Sequence, residues 1–506
     1  MISAFVGRDR ELALIDRIWK SNKAALIILY GRRRVGKTRL LTHWMKRHPA
    51  DGFYWMAEAT SALDQLRSFS QALANFADPD IVAPLDFTYA NWEQALRQVA
   101  LLSREKRIAI FIDEVTYLMA VNPDFIATLQ KAWDHWFTES NVVLALSGSQ
   151  MSLLQKQLLS YDAPLYGRST AQISLPPLPF GVTGAYFPEY SVADRVSIYA
   201  IWGGVPAYWE RLDADLPVID NLRLQLEPSN TWMLDEPKLL LQDFLTDFYN
   251  YVGIMRAMAQ GQETLNDISA RAGLSSGPAS KYLSILRDTG FVERRVPVSE
   301  RSIDSRRGRY FVVDPYLRFY YRYLAAYQSK LAMGQQRQML ENIEQSLPTF
   351  IEANTWQELC RQWLLMASAQ DDLPLPVEHV GAEWKRTFAI DVVGISEMDR
   401  SLVLGCCLWN ETPSDAEPIH ELVRRTSSII PTGEEDWSVY YVGFAAGGWL
   451  PEVQREVEAA IHDEKASRAR RKWQPTGVRL VNLETLDADL TRWSTKAEAE
   501  ELALMR

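Results

Sequence analysis

The segment Gly31 to Thr38, GRRRVGKT, places a lysine and a hydroxyl residue directly after the second of its two glycines. This spacing matches a phosphate-binding loop, in which main-chain N–H groups surround phosphate oxygens. Lys37 is expected to reach the β- and γ-phosphates, and the Thr38 hydroxyl to ligate Mg²⁺. The predicted site for ATP or ADP with Mg²⁺ consists of Gly31, Arg32, Arg33, Arg34, Val35, Gly36, Lys37, Thr38 and Arg39.

Polar residues end two of the apolar runs that follow this segment. Asp113 and Glu114 come directly after one run. Asp113 suits the shell of Mg²⁺, and Glu114 suits the polarisation of an attacking water. Ser147 and Ser149 close the next run, where a hydroxyl could sense the γ-phosphate by hydrogen bonding, although serines are also ordinary loop residues.

Arg168, in the motif PLYGRST, carries a charge that could stabilise the transition state of phosphoryl transfer. It could act within its own chain or from a neighbouring subunit, and only the second case requires an oligomer. A surface arginine in an ion pair is the ordinary alternative.

Short apolar runs alternate with amphipathic segments around these residues. The runs Ala24–Tyr30, Ile108–Ile112 and Val142–Leu146 are typical of buried parallel strands. Arg39–Arg47 and Trp92–Leu102 have helical periodicity. Strands that alternate with helices predict βαβ units and a mostly parallel sheet.

The composition is that of a folded protein with several domains. Hydrophobic residues make up 47% and charged residues 23% of the 506 positions, and this length exceeds what one core usually supports. The net charge of −10 argues against general coating of nucleic acid and leaves room only for a local basic patch. The three cysteines show no pairing pattern, and the N-terminal residues do not resemble a signal peptide. No apolar run reaches the length of about 18 residues that a membrane span needs. These features predict a cytoplasmic protein that does not enter a membrane.

A local excess of positive charge lies near the middle of the chain. Residues 264–286 have the periodicity of two helices joined by the turn AGLSSG, and FVERRVPV beyond them is typical of a hairpin wing. Residues 287–309 contain seven arginines and four acids, which would suit phosphate contact. A lid or a protein-docking module is the alternative. The candidate contacts to double-stranded DNA are Lys281, Arg287, Arg306, Arg307 and Arg309.

The segment YFVVDPYLRFYYRYLAAY, past the wing, predicts an aromatic helix. Four of its rings recur on one side of such a helix, and we interpret them as a packing stripe and not as a cofactor box. They are Tyr316, Phe319, Tyr320 and Tyr323.

Six motifs, in this order, resemble the archaeal-type ATPase family, which belongs with the AAA+-like and STAND-like P-loop ATPases. They are FVGRDREL, YGRRRVGKTRLL, IFIDE, LSGSQMSLL, PLYGRST and GGVPAYWE. The resemblance continues through the winged helix and covers almost the whole chain. It implies a helical lid in which the segment at Pro206 contacts the nucleotide region, and a box near the adenine formed by Phe5, Val6, Gly7 and Arg8.

The C-terminal part resembles the restriction-endonuclease-like domain attached to many members of this family. That resemblance implies a glutamate on a helix, an aspartate on one strand, and a glutamate and a lysine on the next. The corresponding positions here are Glu358, Asp391, Cys406 and Leu408. Because a thiol and an isobutyl group make a poor site for a hard cation, we expect a domain without cleavage activity. A relocated carboxylate, Glu397 or Glu411, is the alternative.

These observations predict an α/β chain with a P-loop NTPase parallel sheet and helical lid, a winged helix-turn-helix, and a C-terminal α/β restriction-endonuclease-like domain. The expected boundaries are residues 1–180 for the ATPase core, 181–250 for the lid, 251–312 for the winged helix, 313–354 for an aromatic helical linker, and 355–506 for the nuclease-like domain.

Three functions remain open from the sequence. The first is a Mg²⁺-dependent ATPase that acts as a nucleotide-driven switch and contacts double-stranded DNA or a protein partner. The second is a DNA-processing enzyme whose C-terminal domain still cuts, and the third is an assembly protein that holds nucleotide with negligible turnover. Intact Lys37 and Glu114 favour the first over the third, and Cys406 and Leu408 disfavour the second.

Overall fold

The computed structural model describes residues 5–49, 51–80, 82–149, 151–227, 229–242, 248–300, 302–431, 436–466 and 472–504. The chain forms two compact units. The first comprises Met1–Leu178, Gly204–Arg211 and Glu498–Arg506, and the second comprises Pro179–Gly203 and Leu212–Ala497.

The strands lie in the first unit (β1 to β5) and in the second (β6 to β12). They are β1 Ala25–Tyr30, β2 Gly52–Met56, β3 Ile108–Asp113, β4 Val142–Gly148, β5 Ala171–Ser174, β6 Val292–Arg295, β7 Arg309–Val312, β8 His379–Trp384, β9 Ala389–Ser396, β10 Ser401–Leu408, β11 Trp437–Ala445 and β12 Trp473–Asn482.

Helices make up most of the remaining described chain. They are α1 Asp9–Lys20, α2 Lys37–Lys46, α3 Ala62–Ala77, α4 Trp92–Glu105, α5 Val115–Val121, α6 Phe125–Ala132, α7 Met151–Leu154, α8 Thr183–Tyr186, α9 Val192–Trp202, α10 Pro206–Trp209, α11 Val218–Gln225, α12 Trp232–Gln242, α13 Phe248–Ala259, α14 Leu265–Ala272, α15 Ser276–Asp288, α16 Pro315–Phe319, α17 Gln328–Ala332, α18 Arg337–Ile351, α19 Gln357–Ala369, α20 Glu417–Arg425, α21 Val453–Ala466 and α22 Leu483–Leu504. Among these described helices, none is both long enough and apolar enough to cross a bilayer.

A parallel sheet in the order β2-β3-β4-β1-β5 forms the centre of the first unit. Leu26 and Ile28 of β1 pack in the core on one face of this sheet. Ile27 and Leu29 pack in the core on the other face. Because both faces are covered by helices, the strand is apolar at every buried position, and the predicted parallel α/β core is confirmed.

The strand order brings three chain segments to one edge of the sheet. β4 lies between β1 and β3, and all three strands are parallel, so their carboxyl ends lie side by side. The segments that leave these ends are the glycine-rich loop after Tyr30, the acidic pair after Ile112 and the serines after Leu146. Ligand sites of open parallel sheets form at this edge.

The second unit contains a winged helix and a mixed sheet. Helices α13, α14 and α15 precede the antiparallel hairpin β6-β7, which confirms the predicted winged helix-turn-helix. The mixed sheet has the order β12-β11-β10-β9-β8. Strands β8, β9 and β10 are antiparallel neighbours, whereas β10, β11 and β12 run parallel. This sheet is the separate C-terminal α/β domain that the sequence predicted.

The aromatic helix begins later than the sequence predicted. Residues 310–312 lie in β7 instead, because aromatic and β-branched residues pack well in a strand. Helix α16 begins at Pro315, where Asp314 caps the first turn by accepting a hydrogen bond from the N–H of Leu317 at 2.9 Å. The predicted packing stripe is confirmed, since all four of its residues are buried: Tyr316, Phe319, Tyr320 and Tyr323.

Close main-chain packing at Gly204 gives a test of the first unit. A side-chain carbon at this position would overlap the main-chain oxygen of Leu178, whose N–H donates to the oxygen of Gly204 at 2.6 Å. We expect Gly204→Ala to lower the free energy of unfolding by about 1–3 kcal/mol, measured by urea unfolding. Gly277→Ala is the matched control, because a carbon there meets no atom within 4 Å. Equal effects of the two substitutions would contradict this packing.

Candidate functional site

The backbone of the glycine-rich loop is left-handed at two positions. Arg34 and Gly36 have φ angles of 70° and 99°, in the left-handed region, and Gly36 directly precedes helix α2 without a capping side chain. At Gly31 a side-chain carbon would overlap the main-chain oxygen of Leu175. The first N–H groups of α2 are thus available to an anion.

Lys37 folds back across this loop. Its Nζ donates to the main-chain oxygens of Gly31 and Arg32 at 3.0 and 3.1 Å. Burial lowers the pKa of Lys37, while the negative charges of Glu114 and Asp113 act in the opposite direction. The ammonium group therefore lies over the loop, where phosphate oxygens would replace the carbonyl groups as acceptors.

Hydroxyl groups from different elements surround the buried carboxylate of Asp113. Thr38 Oγ1 and the Tyr54 hydroxyl donate to Oδ2 at 2.5 and 2.9 Å. The Ser147 hydroxyl donates to Oδ1, and so does the N–H of Glu114 at 2.9 Å. Burial beside Asp113 raises the pKa of Tyr54, so that its hydroxyl keeps the proton it donates. A hydroxyl and a carboxylate oxygen in contact are the donor types that Mg²⁺ prefers, so these residues fit that ion.

Glu114 lies at the turn between β3 and α5. Its φ and ψ of 49° and 43° place it in the left-handed region, which is uncommon for a residue with a side chain. Its Oε2 accepts a hydrogen bond from Ser149 Oγ at 3.0 Å. The structure thus brings together five residues for which the sequence predicted roles in nucleotide binding or hydrolysis. They are Lys37, Thr38, Asp113, Glu114 and Ser149.

A cavity of about 340 Å³ adjoins the loop. Its walls include loop residues 33–34 and 36–39, together with Glu114 and the segment that begins at Pro206, as the family resemblance implied. Sequence reasoning missed Tyr117, which lines the cavity and accepts a hydrogen bond from Arg33 at 2.7 Å. No motif marks this tyrosine, because its position depends on the phase of α5 after Glu114.

The segment at Pro206 contacts the loop through two arginines. Arg32 donates to the Tyr208 hydroxyl at 2.9 Å, and Arg39 forms an ion pair with Glu210. The motif GGVPAYWE contains both partners, but its spacing alone did not indicate their roles. Arg32, Arg33 and Arg39 therefore have defined side-chain contacts.

Arg168 is not part of this cavity. Its Nε and Nη2 donate to the two carboxylate oxygens of Asp134 at 2.8 and 2.9 Å, and its Nη1 donates to the main-chain oxygen of Pro164. The hydrogen bond to Asp134 raises the pKa of Arg168. This side chain is therefore ion-paired in the structure, as in the alternative, and its role in phosphoryl transfer stays a prediction.

The predicted adenine box supports the loop from outside. Arg8 is buried and donates to the main-chain oxygens of Val35 and Pro176 at 3.2 and 2.7 Å. Phe5 stacks on His43 with ring centroids 4.0 Å apart. Val6 and Gly7 connect these two residues, and their role towards adenine stays a prediction.

The wing is held against the edge strand β8. The N–H of Val298 donates to the main-chain oxygen of Ala382 at 3.0 Å, and the N–H of Ser299 donates to Glu383 Oε2 at 3.1 Å. Glu383 is buried, and its other carboxylate oxygen accepts from Arg307 at 2.7 Å. Because a buried carboxylate is costly without a partner, this ion pair fixes the wing on β8.

Two of the predicted DNA contacts form ion pairs within the protein. Arg307 is occupied by the buried carboxylate of Glu383. Arg309 forms an ion pair with Glu263 at 2.8 Å and lies 5.0 Å over the ring of Trp384. Arg301, one of the seven arginines counted above, lies outside the described residues. The remaining predicted contacts are exposed: Lys281, Arg287 and Arg306.

Glu358 and Asp391, two of the predicted nuclease-like residues, contact different partners. Asp391 Oδ1 accepts a hydrogen bond from Gln357 Nε2 at 2.9 Å. Glu358, the helix residue named from the resemblance, is instead paired with Arg295 and Arg318 at 2.9 and 2.8 Å. One position along a helix turns the side chain by about 100°, so the phase of α19 decides which residue meets Asp391.

Cys406 and Leu408 lie on β10, as predicted. Burial raises the pKa values of the Cys406 and Cys407 thiols, which favours their protonated form. The alternative carboxylates, Glu397 and Glu411, lie at exposed positions after β9 and β10. Within the described ranges, no three residues among His, Cys, Asp and Glu form a group that could hold a metal ion.

Sequence reasoning missed two charged neighbours of Asp391. Burial raises the pKa of Asp391, the charge of Arg361 acts against that rise, and the charge of Glu352 adds to it. Arg361 Nη1 also donates to the main-chain oxygen of Asp391 at 2.9 Å. Gln357 and Arg361 lie four residues apart on one helix face, and this spacing could have indicated Arg361 as a neighbour of Asp391.

Family models match three parts of the chain. Residues 5–212 match an ATPase domain predominantly from Archaea, and residues 252–294 match the bacterial regulatory proteins of the arsR family. Residues 320–419 match archaeal and bacterial proteins of unknown function. These matches confirm the resemblance to the archaeal-type ATPases and the helix-turn-helix prediction.

Two curated relatives come from Methanocaldococcus jannaschii. One, an uncharacterized protein, is 27% identical over 440 residues, which cover 86% of this chain and 94% of the relative. The other, an uncharacterized ATP-binding protein, is 56% identical over 45 residues, which cover 9% of this chain and 76% of the relative.

Two solved structures are similar to about two thirds of this chain. A Walker-type ATPase of Pyrococcus abyssi is 18% identical with a TM-score of 0.47, covering 63% of this chain and 96% of that one. The ORC2 protein of Aeropyrum pernix, in ADPNP and ADP complexes, is 13% identical with a TM-score of 0.41, covering 68% and 96%.

The raised pKa of Asp391 leads to a pH-dependent prediction. When a carboxyl group has a higher pKa in the folded state, the free energy of unfolding of the protein falls as pH rises. The fall runs from the unfolded pKa of the group, about 3.9, to its folded pKa. Asp391→Asn removes this loss and keeps an acceptor for Gln357. We therefore expect a higher Tm than wild type at pH 7 and no difference near pH 3.5. Asp304→Asn, at an exposed position, is the control, and a lower Tm for Asp391→Asn at pH 7 would contradict the argument.

Proposed function

Because the chain belongs to the family of ATPases found predominantly in archaea, we propose that it binds ATP with Mg²⁺ at residues 31–38 and hydrolyses it to ADP and phosphate. The observation that carries the proposal is the contact of Thr38, Asp113 and Glu114 at the edge of the parallel sheet. A site that only held nucleotide would have no need of a carboxylate at position 114.

Each residue of this site has a separate task. Thr38 and Asp113 would hold Mg²⁺, which supplies positive charge against the β- and γ-phosphates when bound. Lys37 moves its hydrogen bonds from the loop carbonyl groups to the phosphate oxygens. Glu114 orients the attacking water and takes up its proton, while Ser149 fixes the carboxylate that does so.

The contacts of the loop arginines support a switch. Phosphate would compete with Tyr208 and Glu210 for the guanidinium groups of Arg32 and Arg39. Nucleotide binding and release would then change the contacts of the segment Gly204–Arg211. In the sequence, residues of the second unit flank this segment on both sides.

A DNA contact is proposed through the winged helix, with a protein partner as the alternative. It would use Lys281, Arg287 and Arg306, because these are the exposed candidates. Cleavage of DNA is not proposed, because Asp391 is paired with an amide group and the residues beside it on β10 are thiols and not a carboxylate. Metal-dependent cutting that disappears in Asp391→Asn would contradict this part.

An action of Arg168 on the nucleotide of a neighbouring subunit, and with it an oligomer, stays a prediction. Its ion pair with Asp134 would have to break for such a role.

The ATPase proposal is tested by phosphate release with Mg²⁺ and with chelator. Lys37→Ala is expected to abolish turnover and weaken ATP binding. Glu114→Gln should still bind ATP and lose roughly 10²–10⁴-fold in turnover, as expected for removal of a general base. Ser149→Ala should lose roughly 10-fold, the effect of one hydrogen bond. Lys46→Ala, exposed on the same helix as Lys37, is the control.

Two outcomes would contradict the mechanism. Unchanged turnover in Glu114→Gln would remove that residue from the chemistry. Tight ATP binding without any turnover in the wild type would favour a protein that only holds nucleotide.

The DNA proposal is tested by charge reversal on the exposed face of the winged helix. Lys281→Glu with Arg287→Glu should weaken binding of duplex DNA, and each lost phosphate contact should lower the slope of log affinity against log salt by about 1. Arg337→Glu, at an exposed position on α18, is the control. No binding by the wild type, or an equal loss in the control, would contradict the DNA contact and favour a protein partner.

A further inference from the structure

A cavity of about 650 Å³ lies within the second unit. Its walls come from the hairpin β6-β7, the helices α18 and α19, and the strands β8 and β9. This volume is in the range of sites for small molecules and is far too small for a nucleic-acid duplex. It is separate from the cavity beside the glycine-rich loop, with which it shares no residue.

Arginines dominate the charge of this cavity. Five of them line it: Arg295, Arg309, Arg318, Arg322 and Arg361. The lining carboxylates are Glu263, Glu383 and Asp391. The walls therefore carry an excess of positive charge in a protein whose net charge is −10.

Three of the arginines are neutralised by carboxylates. Arg309 is paired with Glu263. Arg295 and Arg318 share Glu358, whose pKa they hold below its ordinary value although burial acts to raise it. Glu383 forms its ion pair with Arg307.

The other two have no such partner among the described residues. Arg361 forms no ion pair there, although the charge of Glu358 acts on it from a distance, and its hydrogen bond goes to the main-chain oxygen of Asp391. Arg322 forms neither an ion pair nor a hydrogen bond with a described residue, and it is exposed at the cavity wall. Asp391 compensates Arg361 poorly, because burial disfavours its charged form and Gln357 occupies one of its oxygens.

Aromatic rings form another part of the wall. Trp384 lies under the guanidinium of Arg309, and Phe311 lies under that of Arg295, at 5.0 and 4.7 Å from the ring centroids. Tyr310 also lines the cavity. Flat rings and guanidinium planes are surfaces on which a nucleobase stacks, whereas a sugar or an inorganic anion alone makes little use of them.

We propose that this cavity binds a nucleotide with a terminal phosphate, and that the phosphate is held by Arg361 and Arg322. Guanidinium groups that form no ion pair with a described carboxylate are stabilised by a phosphate, which accepts charge-assisted hydrogen bonds from them. The base packs against the Trp384 side of the cavity. The ligand is bound and not cut, and the site does not depend on ATP hydrolysis in the first unit.

The test uses the full chain carrying Lys37→Ala, so that the glycine-rich loop contributes little to binding. AMP, adenosine and a 5′-phosphorylated dinucleotide are titrated by calorimetry, with thermal unfolding as a second readout. AMP or the dinucleotide should bind and raise the Tm, adenosine should do neither, and inorganic phosphate should compete. Tighter binding of AMP identifies a free nucleotide as the ligand, and tighter binding of the dinucleotide identifies the end of a strand.

Substitutions then test whether Arg361 and Arg322 bind the phosphate. Arg361→Met and Arg322→Gln should each weaken binding by roughly 10- to 100-fold, the loss expected for a charge-assisted hydrogen bond. Arg322→Gln keeps the test valid if Arg361→Met does not fold, because Arg322 is exposed. Arg337→Gln, exposed on α18, is the matched control and should bind as the parent does. Absence of binding by both phosphorylated ligands, or equal affinities in all variants, would overturn the proposal.

Discussion

The buried carboxylate of Asp113 is the interaction on which the first unit depends. It ends β3 and receives hydroxyl groups from α2, β2 and β4, through Thr38, Tyr54 and Ser147. A carboxylate without these donors would be too costly to bury at this position. The same group of hydrogen bonds therefore stabilises the sheet edge and arranges the oxygen atoms that suit Mg²⁺. Stability and chemistry cannot be separated here, because one carboxylate serves both.

A second buried carboxylate, Glu383, has a comparable effect in the other unit. It requires partners, and it finds them in the wing, through Arg307 and the N–H of Ser299. The wing therefore packs on strand β8, and two arginines that looked suited to DNA form ion pairs within the protein. The exposed candidates that remain are Lys281 and Arg287 on helix α15, and Arg306. The need to pair a buried charge has thus changed which surface of the winged helix can meet a partner.

The sequence predicted the elements well where a short-range pattern determines them. The strands β1, β3 and β4, the acidic pair after β3, and the helix-turn-helix all follow from periodicity and spacing of neighbouring residues. It was less successful where a position depends on helix phase or on a distant partner. Residues 310–312 were assigned to a helix but pair with β6, and Gln357 takes the place beside Asp391 that was expected for Glu358.

The sequence by itself determined the glycine-rich loop, the acidic pair and their common sheet, because these depend on local backbone geometry and on apolar runs that must be buried. Only the tertiary structure decided which charged side chains are free. Arg168, Arg307 and Arg309 are as basic in the sequence as Arg322 and Arg361. Yet only the first three form ion pairs with carboxylates among the residues that the structure describes. Charge is a property of the residue, whereas its neutralisation depends on which segments the fold brings within about 4 Å.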